Sequence, residues 1–566
     1  MKSLLSFFYS KTFTLFLIIL IFISCKSAGD QFFSKRDIKK SQSLIGVNFD
    51  KKKLDTLYSY LQRNRAGYDS MRKFSLSYEQ TPSLFFNPHP MKFKIPKNKG
   101  VKSNFGIIEK QKLPKNLDEI AFYTIPQLHA LIKSKKITSL ELTKLYLKRL
   151  KEFNSSLFCV INLTEDLALK QAKRADSLLE NGIILGPLHG IPYGLKDLIS
   201  VKGYPTTWGA NPFRNQRINK TATIVRDLES SGAVLLAKLV SGSLARGDVW
   251  FGGMTRNPWD PEQGASGSSA GSGSATSAGL VGFSIGTETL GSIVSPSTRN
   301  GITGLRPTYG RVSRNGVMSL SWSMDKVGPM CRSAIGCAIV FEAIHGSDPL
   351  DPSSIDASYF FNIKSKPEKY KIGYLKDIIE KDTTDSGKNI RNAIKLLKQI
   401  GVNLLPINLP KNYPFKVFDI ILRSESGAYF DRLVRSGKVD NMVQQNQKSR
   451  ANSLRQSRFI PAVEYIQANR FRSKLIEEMH LIMKEIDVLI SPTSGGNQLM
   501  ISNLTGHPVV CVPTGFDSKN HPTSISFLGN LYQEEKILEF ANFFQKITNH
   551  HLKYPPLYYN VEESVD

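Results

Sequence analysis

Apolar and polar positions along the chain follow two periods, one typical of helices and one typical of buried strands. From about residue 123 onward, segments with apolar residues three and four positions apart precede short, almost continuous apolar runs. Residues 222–231 have the helical spacing, Gly232 interrupts it, and residues 233–240 form an apolar run. This alternation predicts an α/β fold with a buried, parallel or mixed sheet.

The same patterns locate further elements. Thr138 and Glu141 have the spacing of a capping box, followed by apolar residues at helical spacing. The other predicted helices span about 167–181 and 390–400. The other predicted strands span about 190–197, 402–407, 487–490 and 509–512. We find no internal repeat in the sequence.

A segment rich in glycine and serine, residues 264–308, interrupts the alternation. Flexible linkers of such composition lack apolar residues, whereas residues 279–286 read Gly-Leu-Val-Gly-Phe-Ser-Ile-Gly. That run predicts a buried helix end and a strand. Because small residues allow backbone N–H groups to face a substrate, we expect this segment to build an active site from loops.

The first 25 residues have the pattern of an export signal. Two lysines flank the start, and the apolar run over 13–23 is shorter than the about 20 residues that a membrane-spanning helix needs. A small residue and Cys25 then resemble the end of a bacterial lipobox, although Phe22 stands where leucine is usual. The sequence thus predicts a signal peptide over 1–25, lipidation of Cys25, and an exported, membrane-anchored periplasmic or cell-surface protein. Plain secretion and an uncleaved anchor are the alternatives.

Between the signal and the α/β region lies a segment of different character. Residues 26–115 are predicted to form an extension, with one amphipathic helix around 54–61 and an irregular, basic connector near 87–102 that packs against the main domain. The main domain is expected over 116–555 and a short tail over 556–566.

Composition narrows the function classes. The 566 residues are 41% apolar and 22% charged, which is typical of a globular protein and not of a disordered one. The formal charge of +27 is compatible with nucleic-acid binding, with an anionic membrane surface, or with a solvated lysine-rich surface. The lysines are spread along the chain and no nucleic-acid motif is present, so no nucleic-acid partner is expected.

The cysteines and the two histidines His189 and His507 indicate neither a metal site nor a catalytic site. Besides Cys25, the cysteines are at positions 159, 331, 337 and 511, and none has the spacing of a zinc site or a disulfide framework. They are predicted to be buried free thiols. His189 and His507 each lie in a turn context that favours a structural role.

A nucleophile elbow is also disfavoured. Gly267 to Gly271 fits G-x-S-x-G, but that motif requires a strand directly before it. The preceding residues 257–264, Asn-Pro-Trp-Asp-Pro-Glu-Gln-Gly, cannot form a central strand.

A series of short blocks resembles the amidase signature family over about residues 120–550. The blocks are Gly190-Ile191-Pro192 before Lys196-Asp197, the serine-rich run Ser266 to Ser272, Thr287 to Ile293, Gly304 to Thr308, and Ser323-Met324-Asp325 before Gly328-Pro329. The ordered set is specific, although no single block is. The resemblance implies an α/β fold: a single large domain with a mixed central sheet covered by helices on both faces.

The resemblance also implies a Ser–Ser–Lys triad. Ser292 matches the acyl-accepting nucleophile, Ser268 the bridging serine after a cis peptide bond, and Lys196 the general base. The backbone N–H groups that match the oxyanion hole are those of Thr289, Leu290, Gly291 and Ser292.

These residue types suit the chemistry. A serine hydroxyl needs a base to take its proton, and lysine is a base only when it is neutral. Its usual pKa is about 10.4, and burial in an apolar strand lowers it. Asp197, Ser269 and Ser272 are expected to be structural. Leu290 replaces a glycine common in the family, so its side chain must point away from the oxyanion.

The sequence therefore predicts an amidohydrolase that cleaves a small-molecule or peptide carboxamide to an acid plus ammonia or an amine. The alternatives are the glutaminase-type component of a tRNA-dependent amidotransferase and a non-catalytic lipoprotein that binds an amide or a peptide. No cofactor and no metal are expected, since neither a ligand cluster nor a nucleotide-binding fingerprint is present in a supporting context. The substrate and the oligomeric state stay open.

Overall fold

The computed structural model describes residues 32–74, 76–96, 102–108 and 110–559. The predicted signal peptide with Cys25 and residues 560–566 of the predicted tail lie outside these ranges. The chain divides into two compact units, Met1–Gln80 and Thr81–Asp566. Residues 81–115, predicted from the sequence to be part of the extension, belong to the second unit.

In its described residues, the first unit has two helices, α1 (Lys35–Ile45) and α2 (Lys51–Arg72). Helix α1 begins with a capping box and ends at Gly46, whose φ is +71°. Leu54 of α2 is buried, and the apolar spacing around it lies inside this helix, which confirms the amphipathic helix predicted near residues 54–61.

The second unit is built on one large sheet. Its strands are β1 (Val160–Leu163), β2 (Pro192–Lys196), β3 (Val234–Leu239), β8 (Phe283–Glu288), β9 (Thr303–Arg306), β10 (Lys326–Cys331), β11 (Ile372–Tyr374), β12 (Leu404–Pro406), β13 (Val488–Pro492), β14 (Val509–Phe516) and β15 (Pro522–Gly529). Four short strands lie outside it: β4 (Val249–Trp250), β5 (Gly253–Met254), β6 (Arg256–Asn257) and β7 (Asp260–Gly264).

The order of strands in the sheet is β1-β3-β2-β8-β10-β9-β14-β15-β13-β11-β12. The pairs β3–β2, β2–β8, β13–β11 and β11–β12 are parallel, and the other pairs are antiparallel. The sheet is therefore mixed, as predicted. Every residue of β2, β3, β8 and β10 is buried, as expected for strands that are covered on both faces of a sheet.

Helices flank this sheet. In chain order they are α3 (Ile125–Lys133), α4 (Ser139–Leu157), α5 (Glu165–Glu180), α6 (Thr223–Ser230), α7 (Ala270–Ser277), α8 (Val294–Asn300), α9 (Ala334–Ile344), α10 (Lys376–Lys381), α11 (Asp385–Gln399), α12 (Asp419–Tyr429), α13 (Asp431–Arg435), α14 (Arg450–Ser457), α15 (Ala462–Met483), α16 (Gln498–Thr505) and α17 (Glu534–Thr548). The single large α/β domain with a mixed, helix-flanked sheet is thus confirmed.

Local sequence signals set several of these boundaries. The Thr138 side chain accepts from the Glu141 N–H at 3.1 Å, and the Glu141 carboxylate accepts from the Thr138 N–H at 2.8 Å, so the predicted capping box forms. Residues 256–264 form a small hairpin outside the central sheet, so no central strand precedes Gly267. Among the described residues, no helix is both long enough and apolar enough to cross a bilayer.

Candidate active site

Two neighbouring parallel strands of the sheet, β2 and β8, bring the predicted base close to the loop that carries the predicted nucleophile. Strand β2 ends at Lys196, and β8, its parallel partner, ends at Glu288. Parallel strands end at the same edge of a sheet, which is where α/β proteins bind ligands. Because Leu195 pairs with Ile285, Lys196 is next to Gly286 in the register, and its side chain reaches Thr287.

Lys196 is completely buried, and its ammonium group is surrounded by hydroxyl groups. Its Nζ donates to the Oγ of Ser268 at 2.8 Å, to the Oγ of Ser269 at 3.0 Å and to the Oγ1 of Thr287 at 2.9 Å. Burial lowers the pKa of Lys196 well below its usual value, while the charges of Asp325 and Glu288 oppose that shift. The Thr287 carbonyl, at 3.3 Å, is a further partner of Nζ. Because all of these partners are uncharged, neutral lysine can accept a proton in this environment.

Ser268 follows a cis peptide bond, Gly267–Ser268, as the resemblance implied. Its carbonyl accepts from the Gly242 N–H at 3.1 Å. A Cβ atom at Gly267 would lie 1.8 Å from the carbonyl oxygen of Gly247, so only glycine fits before Ser268. The close approach of two loops explains why this segment consists of small residues.

Ser269 and Ser272 make hydrogen bonds that tie the serine-rich run to β8. The Ser269 hydroxyl donates to the Thr287 carbonyl at 3.1 Å and accepts from the Thr287 N–H at 3.2 Å. The Ser272 hydroxyl donates to the Ile285 carbonyl at 3.0 Å. Both contacts are those of a scaffold, the role predicted for the two serines.

Ser292 lies in the turn between β8 and α8. Its carbonyl accepts from the Ser269 N–H at 3.3 Å, so the turn and the serine-rich run are adjacent. The side chain is nearly buried, with 8% exposed, and its hydroxyl is hydrogen-bonded to none of the residues that the structure describes. The structure thus brings Lys196 and Ser268 into direct contact and Ser292 next to them, without a bond between the two serine hydroxyls.

The turn offers backbone donors. Among the described residues, no hydrogen-bond acceptor pairs with the N–H groups of Thr289, Leu290, Gly291 and Ser292. Gly291 has φ +86°, and a Cβ there would lie 3.0 Å from Ser295 Oγ and 3.1 Å from Leu499 Cδ2. Glycine is therefore needed at 291, whereas position 290 accommodates leucine, which is partly buried.

Glu288 anchors this turn, a role that the sequence did not reveal. One carboxylate oxygen accepts from the N–H groups of Ile293 and Val294 at 2.8 and 3.0 Å, where α8 begins. The other accepts from Arg306 and from the Asn503 amide, each at 2.8 Å. Burial raises the pKa of Glu288, but Arg306 and Lys326 outweigh it and lower that pKa to about 2. The available signal was that Glu288 lies inside the block Thr287 to Ile293 that carries the family resemblance.

Asp325 holds the first residue of the turn. Its carboxylate accepts from the Thr289 hydroxyl at 2.5 Å and from the Ser321 N–H at 3.0 Å. Burial raises the pKa of Asp325 above its usual value. A cavity of about 10 Å³, close to the size of one water molecule, is lined by Thr287, Thr289 and Asp325 among others.

Asp197 faces away from the hydroxyl cluster and forms a buried ion pair with Lys238 at 2.6 Å. Its second carboxylate oxygen accepts from the Thr207 N–H at 2.8 Å. This arrangement is the structural role predicted for Asp197. The pair fixes the residue that follows Lys196, so β2 ends at a defined position.

The remaining candidates have structural surroundings. His189 is hydrogen-bonded to the Ala175 carbonyl at 3.0 Å, and His507 to the Thr505 hydroxyl at 2.8 Å. The four described cysteines are free and buried, as predicted. Within the described ranges, no group of three or more histidine, cysteine, aspartate or glutamate side chains could hold a metal ion.

Comparisons with known proteins agree with the family resemblance of the sequence motifs. The family model described as Amidase matches residues 141–502. A glutamyl-tRNA(Gln) amidotransferase subunit of Legionella pneumophila (strain Paris) is 31% identical over 485 residues, which are 76% of this chain and 99% of that protein. The corresponding subunit of Geobacter sp. (strain M21) is 32% identical, over 78% of this chain and 100% of that protein. The native peptide amidase of Stenotrophomonas maltophilia has a TM-score of 0.68 and 28% identity, over 76% of this chain and 98% of that one.

Proposed function

The chain belongs to the amidase family, and from that premise we propose that it hydrolyses a carboxamide to a carboxylic acid and ammonia or an amine through an acyl-enzyme on Ser292. It is an amidohydrolase that acts on C–N bonds. Peptide amides and small-molecule amides are the substrate classes that we propose. The observation that carries the proposal is the buried contact of 2.8 Å between Lys196 Nζ and Ser268 Oγ beside the turn of Ser292.

In this mechanism the Ser292 hydroxyl oxygen attacks the amide carbon. Its proton passes to the Ser268 oxygen while the Ser268 proton passes to neutral Lys196. The free N–H groups of residues 289–292 stabilise the negative charge on the carbonyl oxygen, commonly the largest single catalytic contribution. The C–N bond then breaks, the leaving nitrogen takes a proton from Lys196 through Ser268, and water hydrolyses the ester by the same route.

A fluorophosphonate probe tests the nucleophile. We expect one covalent adduct on the wild-type protein by intact mass, no adduct on Ser292→Ala and slow formation on Lys196→Ala. Ser272→Ala is the matched control, since it removes a buried hydroxyl from the same segment without touching Lys196. An adduct that persists in Ser292→Ala, or a wild-type protein that is folded and unlabelled, contradicts the proposal.

The second candidate is the amidotransferase component, which the identity of about 30% to the Legionella and Geobacter proteins supports as well as a general amidase. The export-like residues 1–25 favour the amidase, because charged tRNA is cytosolic. Ammonia release from peptide amides by the purified chain alone would favour the first candidate. Location in the cytosol with residues 1–25 intact, and activity only in the presence of partner subunits and charged tRNA, would favour the second.

We also propose that the protein is exported and anchored to the membrane through lipid on Cys25. The support is the lysine-flanked apolar run that ends at a small residue and Cys25. Metabolic labelling with a fatty acid tests this: we expect label on the wild-type protein in the membrane fraction and none on Cys25→Ser. Release of an unlabelled wild-type protein, or retention of residues 1–25, contradicts the anchor.

A further inference from the structure

Residues of α2 and Phe74, two positions after its last residue, form an exposed patch, here called the aromatic–basic face. Its exposed members are Tyr60, Arg63, Tyr68, Met71 and Phe74, and the partly buried Arg72 lies beside them. The exposed fractions are 58% for Tyr60, 48% for Tyr68, 66% for Met71 and 79% for Phe74. Exposure of several large apolar side chains on one helix is typical of an interaction surface.

The geometry of α2 separates this face from the core of the first unit. At about 100° per residue, Tyr60, Tyr68 and Met71 lie within about 80° of one another around the helix. Buried Leu54 lies about 100° from Met71 and about 40° from Tyr68 around the helix. Tyr58, which is partly buried and whose ring packs against Phe33 at 6.2 Å between centroids, lies about 140° from Met71. Tyr60 and Met71 therefore lie on a side of the helix that the first unit leaves exposed, and Tyr68 lies beside the buried stripe but 14 positions after Leu54, where it is exposed as well.

Positive charge accompanies the exposed rings. The guanidinium of Arg63 lies 4.8 Å from the ring centre of Tyr60, and that of Arg72 lies 5.9 Å from that of Tyr68. Residues 32–74 contain eleven Lys and Arg and four Asp and Glu, a formal charge of +7. Asp69, the acidic residue next to the face, is paired with Arg65 and Arg72, and the net charge of +7 already includes it.

We propose that the aromatic–basic face lies on the surface of an anionic phospholipid bilayer. Tyrosine and arginine suit the headgroup region because each has an apolar body and a polar end, while methionine and phenylalanine enter the acyl boundary. A nucleic acid would use the charge but would leave Met71 and Phe74 in water. The proposal is independent of the amidase assignment, because it involves no residue of the active site.

Depth-dependent quenching in the full-length protein tests the proposal. Tyr68→Trp places a probe on the face, and Phe459→Trp is the matched control, since Phe459 is 69% exposed in the second unit. Both proteins are reconstituted into vesicles with bromine-labelled phospholipid, made either of phosphatidylcholine alone or of phosphatidylcholine with phosphatidylglycerol. The signal of the four native tryptophans, all in the second unit, is subtracted by using the wild-type protein.

We expect strong quenching at position 68 in the phosphatidylglycerol vesicles and weak quenching in phosphatidylcholine alone, with position 459 unquenched in both. Adding Arg63→Gln and Arg72→Gln should weaken the anionic-lipid dependence about fivefold for each residue. Because all these positions are on the surface, fluorophosphonate labelling of Ser292 should not change. Equal quenching at positions 68 and 459, equal quenching in both vesicle types, or lipid-insensitive burial of the position 68 probe would overturn the proposal.

Discussion

Replacing Glu288 by glutamine changes a single buried side chain that joins three parts of the active site. The carboxylate accepts four hydrogen bonds, from two N–H groups at the start of α8, from Arg306 and from Asn503. Glutamine keeps the shape but offers one oxygen and one NH2 group. Whichever way it is turned, the NH2 group faces two donors, and the Arg306 charge loses its counter-ion.

The expected loss in the free energy of unfolding can be worked out in two ways. Removing one partner of a buried ion pair costs about 3–5 kcal/mol. Independently, the fall of the Glu288 pKa from 4.5 to about 2 corresponds to about 3 kcal/mol of stabilisation at neutral pH. Since a domain is typically stable by about 5–15 kcal/mol, either value is a large fraction of the total.

Urea unfolding followed by tryptophan fluorescence, with Glu288→Gln, Arg306→Met and the double variant, measures this. Each single variant should lose about 3–5 kcal/mol, and the double variant less than the sum, because the second substitution removes the charge that the first left unpaired. The control is Asp419→Asn, which breaks a partly exposed pair with Arg423 within one helix and should change stability by less than about 1 kcal/mol. Glu288→Gln should also slow fluorophosphonate labelling, because it releases the start of α8.

The pH dependence has a defined sign. Because the pKa of Glu288 is lowered, its contribution is present above the unfolded value of 4.5 and is lost as the pH falls towards about 2. The stability difference between the wild type and Glu288→Gln should therefore shrink over that range. Additive single variants, or a Glu288→Gln protein with wild-type stability and labelling rate, would refute the reasoning.

Three further predictions concern the proposed base, the turn before Ser292 and a buried cysteine. Labelling of Ser292 should rise with pH and level off well below pH 10.5, because burial lowers the pKa of the proposed base Lys196; a rise only near pH 10.5 would contradict this. Gly291→Ala should reduce labelling at least tenfold, since φ there is +86° and an added methyl group meets side chains at 3.0 and 3.1 Å, whereas Leu290→Gly should keep it within about threefold; equal effects would contradict the geometry. A maleimide should leave Cys511 unmodified in the folded protein and modify it after unfolding, because the thiol is buried and burial raises its pKa to about 12; mass spectrometry of the peptides checks this.

Particular residues show how much of the fold and of the active site the sequence predicts. Short-range signals predicted the elements: Thr138 and Glu141 form the predicted capping box, and the apolar runs at 190–197 and 233–240 contain β2 and β3. Ordered motifs indicated the family and the positions of Lys196 and Ser268, which are 72 residues apart and in contact. Lipidation at Cys25 stays a prediction, because it lies outside the described residues.

The sequence by itself determined what depends on neighbours along the chain: periodicity, caps, small residues before the close approach of loops, and the order of family motifs. The tertiary structure decided which distant groups meet. Glu288 acquires its role only because Asn503, 215 positions away, folds back onto it, and Asp197 is structural because Lys238 of the adjacent strand neutralises it. Lys196 is completely buried because distant segments of the chain pack around its side chain, and this burial lowers its pKa. Electrostatic free energy depends on distances in space and on exclusion of water, and the spacing of residues along the chain gives neither quantity.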